Sequence, residues 1–571
     1  MTASVPDQIQ LTTTHEGPSI GRRDVLSLLG AICIGTATFQ RALADEAAKA
    51  IGITVEQIAG AEWIAGISLT EEQRTSLQAA LTRVQRDCAQ IRAIPVKYDT
   101  LPAFRFDPEM ADTAGRLKST APPAWLKTTD RTEHAEEKSG SLSFLSIREL
   151  GRRLRAKEIS SVELTRHCLD RLIKVDPVLN CVITLTKDLA IRQAEQADHE
   201  LAQGQDRGPL HGIPWGAKDL IAVSGYPTTW GAPQFRTQQL RTTATVARRL
   251  EDAGAVLVAK LSLGALAMGD QWFMGQTKNP WNPQQGSSGS SAGSASAVAA
   301  GLIPFAVGSE TLGSIISPAR RCGVTGLRPT FGRVSRAGCM ALSWTMDKIG
   351  PIARSADDCG QVLAAIHGTD AADPTTVDRW FRWPVEIDLS KVRIGHVTNC
   401  ETAPPEQAAL DALKELGANI VEVELPRDIP EWALAGMLDV EAACVFHELA
   451  ASGNQEGLNS WPAIFQRSHF VSAVDYLLAS QARFELMKKM TVVFRDVDLY
   501  VGGNDLGISN LTGHPMIALP VLMKEGDPQP RPLCCTLTAG LYDEATLLAV
   551  AALIERHVDV LKHEPQFGSS H

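Results

Sequence analysis

The feature that most constrains the fold is a helical pattern that runs directly into an apolar strand, "TATVARRLEDAGAVLVAKL", at residues 243–261. Helical patterns also cover residues 145–175 and 186–204, and the segment "LHGIPWGAKDLIAV" at residues 210–223 has the composition of a strand. Alternating helices and strands predict an α/β fold, in which helices cover a β-sheet. The chain is 571 residues long, which leaves ample material for a buried site.

The N-terminal segment has the pattern of an export signal. Paired Arg22 and Arg23 precede an apolar run at residues 25–39, and "ALA" at residues 42–44 has the small-x-small form of a cleavage site. The apolar run is short for a bilayer crossing, and the twin arginines are typical of the bacterial Tat route. We therefore predict a Tat-type signal peptide over residues 1–44 and a periplasmic or secreted protein. The alternative is a buried N-terminal helix in a cytoplasmic protein.

Three further regions follow this segment. Residues 45–106 contain two runs with apolar residues at helical spacing, separated by Thr70-Glu71-Glu72-Gln73, which resembles a capping box. They predict a helical hairpin. Residues 107–140 lack a period and are rich in Pro, Ser, Thr and charge, so we expect a linker there. The large α/β domain is expected to cover residues 141–566.

Composition excludes several classes of function. A hydrophobic share of 44% and a charged share of 21% are typical of a soluble globular protein. The net charge of -10 and the lack of a basic stripe argue against binding to nucleic acid. The 11 cysteines are scattered, without a C-x-x-C pair or metal-like spacing with histidine. We therefore expect buried thiols, with neither a disulfide framework nor a metal site.

A serine- and glycine-rich stretch, "QQGSSGSSAGSASAVAAG" at residues 284–301, raises three alternatives. A flexible linker is disfavoured, because the residues that follow are apolar and would be buried. Within the stretch, residues 289–293 match G-x-S-x-G, the nucleophile elbow of α/β-hydrolases, with Ser291 as nucleophile. An elbow needs a strand before it, and we expect Pro280 and Pro283 to keep the preceding residues out of a sheet. The remaining alternative is a backbone that approaches other groups closely.

Several segments together carry a resemblance to a known family. The run at residues 279–301, "GSETLGSIISPARRCGVTGLRPTFGRVSRAG" after it and "LHGIPWGAKDL" before it resemble the amidase signature family of serine amidohydrolases. The resemblance resumes near the C-terminus with "SNLTGHPMIALP" and "GLYDEATLL". It implies a large mixed central β-sheet with helices on both faces. Within the predicted hairpin, "ITVEQIAGAEWIAGISLTEEQ" resembles the small C subunit of glutamyl-tRNA amidotransferase.

The resemblance implies a Ser-Ser-Lys catalytic triad. By position in the motifs, Ser314 is the nucleophile, Ser290 is the relay serine, usually held after a cis peptide, and Lys218 is the base. Ser291 corresponds to an accessory serine of the same cluster. The oxyanion hole is expected from the backbone N–H groups of Thr311, Leu312, Gly313 and Ser314. Neither a metal nor an organic cofactor is implied.

The chemistry of such a triad depends on the charge of the lysine. A serine hydroxyl needs a neighbouring base to attack an amide, and lysine is a base only when it is neutral. Burial among neutral hydroxyls lowers the pKa of a lysine, whereas a nearby carboxylate would raise it. Asp219 follows Lys218 directly, but in an extended segment its side chain points to the opposite face. We expect structural roles for His211, His514 and Asp347.

The segment around Ser314 departs from the family pattern. The sequence here is Ser-Glu-Thr-Leu-Gly-Ser-Ile-Ile, where the family usually has Ser-Asp-Thr-Gly-Gly-Ser-Ile-Arg. Leu312 replaces a glycine, so we expect it either to avoid positive φ or to adopt it with backbone strain. Ile316 replaces an arginine, although Arg320 and Arg321 lie nearby. These changes bear on substrate preference more than on catalysis.

Three functions follow as alternatives. The first is an amidase that releases ammonia or an amine from a small carboxamide through an acyl-enzyme, with no nucleic-acid or membrane partner and with a homodimer as an open alternative. The second is the A subunit of a glutamyl-tRNA(Gln) or aspartyl-tRNA(Asn) amidotransferase, which supplies ammonia from glutamine to a partner. The third, a binding protein with an inactive site, is disfavoured because Lys218, Ser290 and Ser314 are all present. We favour the first, because export would separate the enzyme from tRNA.

Overall fold

The computed structural model describes residues 52–65, 67–92, 106–111, 122–129, 141–526 and 528–566. The chain divides into two compact units, residues 1–96 and residues 97–571. The predicted export signal, residues 1–44, lies outside the described residues, so the periplasmic or secreted location stays a prediction.

Among its described residues, the first unit contains two helices, α1 (Val55–Ala65) and α2 (Glu71–Arg92). Both lie within the predicted hairpin of residues 45–106. The predicted capping box is present, because Gln73 N–H donates to Thr70 Oγ1 and Thr70 N–H donates to Gln73 Oε1. An ion pair of 2.5 Å between Arg74 and Glu62 joins the two helices.

The described helices of the second unit cover its sheet and form a helical region between residues 431 and 496. They are α3 (Ile147–Arg155), α4 (Ser161–Leu179), α5 (Lys187–Ala202), α6 (Thr245–Asp252), α7 (Ala292–Ala299), α8 (Ile316–Cys322), α9 (Ala356–Ile366), α10 (Pro404–Glu415), α11 (Glu431–Leu434), α12 (Gly436–Val445), α13 (His447–Ser452), α14 (Trp461–Ser468), α15 (Ala473–Asp496), α16 (Leu506–Thr512) and α17 (Glu544–Val558).

The strands among the described residues of the second unit are β1 (Leu126–Thr128), β2 (Val182–Leu185), β3 (Pro214–Lys218), β4 (Val256–Leu261), β5 (Gln271–Trp272), β6 (Gly275–Gln276), β7 (Lys278–Asn279), β8 (Asn282–Gly286), β9 (Phe305–Glu310), β10 (Thr325–Arg328), β11 (Lys348–Ala353), β12 (Val385–Ile387), β13 (Arg393–Val397), β14 (Asn419–Val423), β15 (Leu499–Val501), β16 (Met516–Lys524) and β17 (Arg531–Ala539). Eleven of them form one sheet in the order β14-β13-β15-β17-β16-β10-β11-β9-β3-β4-β2. Its pairs are both parallel and antiparallel, which confirms the predicted mixed α/β fold.

Both faces of this sheet are buried. Along β9, Phe305 and Val307 belong to one apolar cluster, and Ala306 between them belongs to another. Successive side chains of a strand point to opposite faces, so the two clusters lie on the two sides of the sheet. Burial on both sides explains why "AVLVAKL" is apolar except at Lys260, rather than alternating between apolar and polar residues.

Part of the predicted linker belongs to the second unit. Within residues 107–140, strand β1 pairs with β12 in antiparallel register, with Leu126 opposite Ile387. The Trp125 indole also donates to Thr546 Oγ1 at 3.0 Å. This stretch of the predicted linker is therefore built into the fold of the second unit, while the predicted domain boundaries stay a prediction.

Two neighbouring parallel strands, β3 and β9, end side by side at one edge of the sheet. Strand β3 pairs in parallel with β9, with Trp215 opposite Phe305 and Ala217 opposite Val307. The carboxyl ends of parallel strands meet at one edge of a sheet, where ligands bind in open α/β folds. Lys218 ends β3, and the turn at residues 311–315 follows β9 at this edge.

Candidate active site

The amine of Lys218 lies in a pocket of serine oxygens. Its Nζ is 2.8 Å from Ser290 Oγ, 3.1 Å from Ser291 Oγ and 2.9 Å from Ser309 Oγ. The Ser309 carbonyl oxygen is a fourth oxygen within hydrogen-bond distance of Nζ, at 3.2 Å. The side chain is 0% exposed. The structure thus brings together the predicted base, the relay serine and the accessory serine.

This environment favours the neutral amine. Burial lowers the pKa of Lys218 from 10.5 to about 7, although the carboxylates of Asp347 and Glu310 oppose the shift from a distance. Within the described ranges, no carboxylate lies within ion-pair distance of Nζ. Hydroxyl groups suit a neutral amine, because they donate to its lone pair as well as accept its protons. Lys218 can therefore accept a proton near neutral pH.

The neighbouring Asp219 faces away from this cluster, as expected from strand alternation. Its Oδ1 accepts from Lys260 Nζ at 2.5 Å, and its Oδ2 accepts from the backbone N–H and hydroxyl of Thr229. Both members of the Asp219–Lys260 pair are 0% exposed. The aspartate is thus occupied by a second buried lysine, which leaves Lys218 without a counter-ion.

The serine-rich stretch forms a wall of the site. The Gly289–Ser290 peptide bond is cis, and Ser290 is 1% exposed. A Cβ atom at Gly289 would lie 1.9 Å from the Gly269 carbonyl oxygen, so only glycine fits at this close approach. Ser291 donates from Oγ to the Ser309 carbonyl at 3.1 Å and accepts from its N–H at 3.2 Å. These contacts fix the stretch against β9.

One expectation about this stretch is wrong. Strands β7 and β8 form a small antiparallel pair directly before it, although Pro280 and Pro283 were expected to prevent strand formation. A two-stranded ladder leaves outward N–H positions unpaired, where proline costs no hydrogen bond. The nucleophile elbow is nevertheless excluded by other contacts. Ser291 is 0% exposed, and its hydroxyl is occupied by Lys218 and Ser309.

The turn that carries the predicted nucleophile lies beside the serine stretch. Ser291 N–H donates to the Ser314 carbonyl oxygen at 3.0 Å. In the described part of the chain, no hydrogen bond joins the Ser314 hydroxyl to Ser290 or to Lys218. The structure thus places the backbone of Ser314 next to the cluster, while the Ser314 hydroxyl is not hydrogen-bonded to the side chains of Ser290 and Lys218.

The backbone of this turn accommodates the departure at Leu312. Gly313 has a φ of 89°, whereas Leu312 is not among the residues with positive φ, which is the first of the two expected alternatives. A Cβ atom at Gly313 would lie 2.9 Å from Leu506 Cδ2. Among the described residues, the N–H groups of Leu312, Gly313 and Ser314 have no hydrogen-bond acceptor within the protein. These groups can therefore donate to a substrate oxygen.

A buried carboxylate that sequence reasoning missed anchors the start of α8. Glu310 Oε2 accepts from the N–H groups of Ile315 at 2.8 Å and Ile316 at 2.9 Å. Its Oε1 accepts from Arg328 at 2.9 Å and from Asn510 at 2.8 Å. Burial alone would raise the pKa of Glu310, but the charge of Arg328 and the hydrogen bond from Ile316 hold it below its ordinary value.

The isoleucine that replaces the family's arginine at position 316 fits a buried, apolar position. Ile316 is buried in the apolar cluster on one face of the sheet. Neither Arg320 nor Arg321 contacts the Lys218 cluster among the described residues. Arg320 is half exposed and lies 3.9 Å from Glu406. Arg328 supplies the positive charge next to the turn instead.

Asp347 supports the turn from its other side. Its carboxylate accepts from Thr311 Oγ1 at 2.6 Å and from the N–H groups of Leu342 and Ser343. Burial raises its pKa. These contacts agree with the expected structural role, because they hold the first residue of the turn to the segment before β11.

Both histidines considered in the sequence lie in structural positions. His211 is buried, and its Nε2 lies 3.1 Å from Glu200. His514 stacks on Phe494 at a ring separation of 4.7 Å and is 2.8 Å from Thr512 Oγ1. Burial lowers the pKa of His514 to about 3, so it remains neutral at physiological pH. Neither histidine contacts the Lys218 cluster.

A second buried network holds the segment before Asp347. Glu441 in α12 accepts from Ser343 Oγ at 2.8 Å, from Thr345 Oγ1 at 2.7 Å and from the Tyr476 hydroxyl at 2.9 Å. Arg483 in α15 donates to the Thr345 carbonyl oxygen at 2.9 Å. The helical region is thereby tied to the segment that ends at Asp347.

A pocket of about 370 Å³ opens beside the cluster. Ser309, which contacts Lys218, and Thr311, which begins the nucleophile turn, both line it. Ser314 itself lies outside the lining. Within the described ranges, no group of three or more His, Cys, Asp or Glu side chains is placed to hold a metal ion, and no helix has the length and apolarity that a bilayer crossing requires.

Comparisons with known proteins indicate the family of the chain. The sequence model of the family described as Amidase matches residues 163–502. The A subunit of glutamyl-tRNA(Gln) amidotransferase from Legionella pneumophila (strain Corby) is 30% identical over 480 residues, which cover 73% of this chain and 98% of the relative. The solved peptide amidase of Stenotrophomonas maltophilia superposes with a TM-score of 0.65 at 29% identity, over 74% of this chain and 99% of that one.

Proposed function

Because the chain belongs to the Amidase family, whose enzymes act on C–N bonds, we propose that it hydrolyses a linear carboxamide through a serine acyl-enzyme and releases ammonia or an amine. One observation carries this proposal: Lys218 is buried among hydroxyl groups without a counter-ion and has a pKa lowered to about 7. It has the properties of a general base at neutral pH.

In the proposed reaction, Ser314 Oγ attacks the amide carbonyl carbon as its proton passes to Ser290 and on to Lys218. The contact of 2.8 Å between Ser290 and Lys218 is already present. The second contact, between the Ser314 and Ser290 hydroxyls, has to form when substrate binds. Catalytic hydrogen bonds are commonly incomplete before substrate binds.

The other steps use groups that the turn provides. The tetrahedral intermediate places a negative charge on the former carbonyl oxygen, which the N–H groups of Leu312, Gly313 and Ser314 can bind. Such a donor typically contributes about 3 to 4 kcal/mol. The proton held by Lys218 returns through Ser290 to the leaving nitrogen, so that the C–N bond breaks and an amine departs. Water then releases the acyl group from Ser314.

The nucleophile is tested by replacing Ser314. In Ser314→Ala, we expect the rate of ammonia release from amides to fall by at least about 10³-fold, because no acyl-enzyme can form. Labelling by a fluorophosphonate should disappear as well, since only an activated serine reacts. Ser224→Ala, at an exposed serine, serves as the control and should retain both. Unchanged turnover in Ser314→Ala would exclude this serine as the nucleophile.

The amidotransferase alternative is supported by the 30% identity to the A subunit of that enzyme over nearly the whole length of the relative. The two functions differ in what they require. An amidase should release ammonia from simple aliphatic amides without any partner. The amidotransferase component should need glutamine, a misacylated tRNA and its B subunit. If ammonia is released only when glutamine, the misacylated tRNA and the B subunit are all present, the proposed amidase is refuted.

A further inference from the structure

The pocket beside the cluster has a size suited to a small substrate. Its volume of about 370 Å³ lies at the lower end of the range for ligand pockets, which is about 300 to 1,000 Å³. At one part of its lining, Thr311 and Ser309 connect it to the catalytic residues. A ligand whose amide lies at Thr311 would therefore extend the rest of its structure into this pocket.

Four charged side chains line the pocket, and three of them have an ion-pair or hydrogen-bond partner that accounts for their charge. Arg336 is paired with Asp373 at 3.2 Å. Asp347 accepts hydrogen bonds from Thr311 and from two backbone N–H groups. The fourth is Arg248, which lies within ion-pair distance of no carboxylate among the residues that the structure describes. The pocket thus contains one arginine whose charge is not paired.

The guanidinium of Arg248 is held in place by neutral groups. It donates to the Thr243 carbonyl oxygen, and at 2.7 Å to Thr245 Oγ1. Both threonines also line the pocket. An arginine has five N–H donors in a planar fork, so these bonds leave donors for a ligand. A fork of this kind matches the geometry of a carboxylate.

The lining also contains apolar side chains, among them Leu220, Met340 and Trp344. Apolar walls favour aliphatic carbon and disfavour further charges in the ligand. A ligand that satisfies all of these groups has an amide at one end, a short aliphatic chain in the middle and a carboxylate at the other end.

We propose that this pocket binds linear amides that carry a carboxylate at the end opposite the amide, and that Arg248 binds this carboxylate. This inference rests on the proposed hydrolysis of linear carboxamides and narrows its substrate class. Arg248 is then a specificity-determining residue of the same site.

Binding is tested separately from catalysis. The probes are the monoamides of straight-chain dicarboxylic acids with four to six carbons, each compared with the uncharged amide of equal chain length. Calorimetry on Ser314→Ala, in which turnover is blocked, gives their dissociation constants. We expect Arg248→Gln in that background to raise the dissociation constant of the best monoamide about tenfold or more, and to leave that of the uncharged amide within about twofold.

Arg241→Gln provides the matched control, because Arg241 is an exposed arginine of the same segment that does not line the pocket. It should change neither constant. Equal binding of charged and uncharged amides at every chain length, or an Arg248→Gln variant that binds the monoamides as well as its parent does, would overturn the proposed carboxylate site.

Hydrolysis by the wild-type chain separates this inference from the proposed function. Hydrolysis of uncharged amides as fast as of monoamides, with no effect of Arg248→Gln, would retain the amidase and refute the carboxylate site. Binding of monoamides that depends on Arg248, without hydrolysis of any amide, would retain the site and refute the amidase. Both proposals are supported if Arg248→Gln lowers kcat/KM about tenfold for the monoamides alone.

Discussion

The low pKa of Lys218 has a consequence for folding that does not depend on the substrate. The difference between its ordinary value of 10.5 and about 7 corresponds to about 5 kcal/mol of preference for the neutral form in the folded protein. In the unfolded chain the lysine titrates normally. Between these two pKa values the unfolded state binds more protons, so the free energy of unfolding rises with pH in that window.

The size of this effect follows from the same two values. At about pH 5 both states are protonated, and the folded protein bears the full cost of about 5 kcal/mol for burying the ammonium group. At about pH 9 the folded lysine is neutral, and about 2 kcal/mol of that cost remains. Lys218 alone should therefore stabilise the protein by about 3 kcal/mol when the pH is raised from 5 to 9.

Replacement by methionine isolates this contribution. Lys218→Met keeps a long side chain in the site but has no titrating group. We would measure urea denaturation of both proteins at about pH 5 and about pH 9 by tryptophan fluorescence, after checking that they refold. All other titrating groups are shared, so the difference between the two pH dependences should be about 3 kcal/mol. Equal pH dependences would show that Lys218 has an ordinary pKa, and the assignment of a neutral base would be refuted.

Two further predictions concern rate and packing. The kcat/KM for amide hydrolysis should rise about tenfold per pH unit below about pH 7 and level off above it, because only neutral Lys218 accepts a proton; a profile that is flat from pH 5 to 10 would contradict this base. Glu441→Gln should lower the free energy of unfolding by about 2 to 3 kcal/mol in urea titrations, because the amide disturbs a buried set of donors that includes Thr345. The control Glu485→Gln, at a residue 57% exposed in a surface pair with Lys488, should change it by less than about 0.5 kcal/mol, and equal losses in both would refute the role of this network.

Sequence patterns predicted those features of the fold and site that depend on residues close to one another in the chain. Alternation of helix and strand predicted the sheet, and alternation along β3 predicted that Lys218 and Asp219 face different surroundings. The resemblance to amidases predicted that Lys218, Ser290 and Ser291 lie in one cluster. In the structure, the Lys218 amine is within hydrogen-bond distance of both serine hydroxyls.

The residues that the sequence analysis missed contact partners that are far away in the sequence, which local patterns cannot predict. Glu310 is bound by Arg328, 18 positions away, and by Asn510, 200 positions away. Ser309 contacts Lys218 because β3 and β9 are neighbours, which only the sheet order reveals. Ser309 and Glu310 lie at the start of the motif that resembles the amidase family, but the motif does not indicate which groups they contact.

Lys218 is the last residue of β3 and Asp219 follows it, but their side chains lie in different surroundings. Lys218 projects into the hydroxyl groups, while Asp219 projects the other way and pairs with Lys260. A slip of β3 by one position relative to its neighbours would exchange their surroundings and place an acid where the base belongs. Such a chain could still fold into a covered sheet, yet the site would lack the neutral amine that takes the proton of Ser314 in the proposed reaction. The alignment of one strand is therefore as much a condition of catalysis as the identity of the side chains on it.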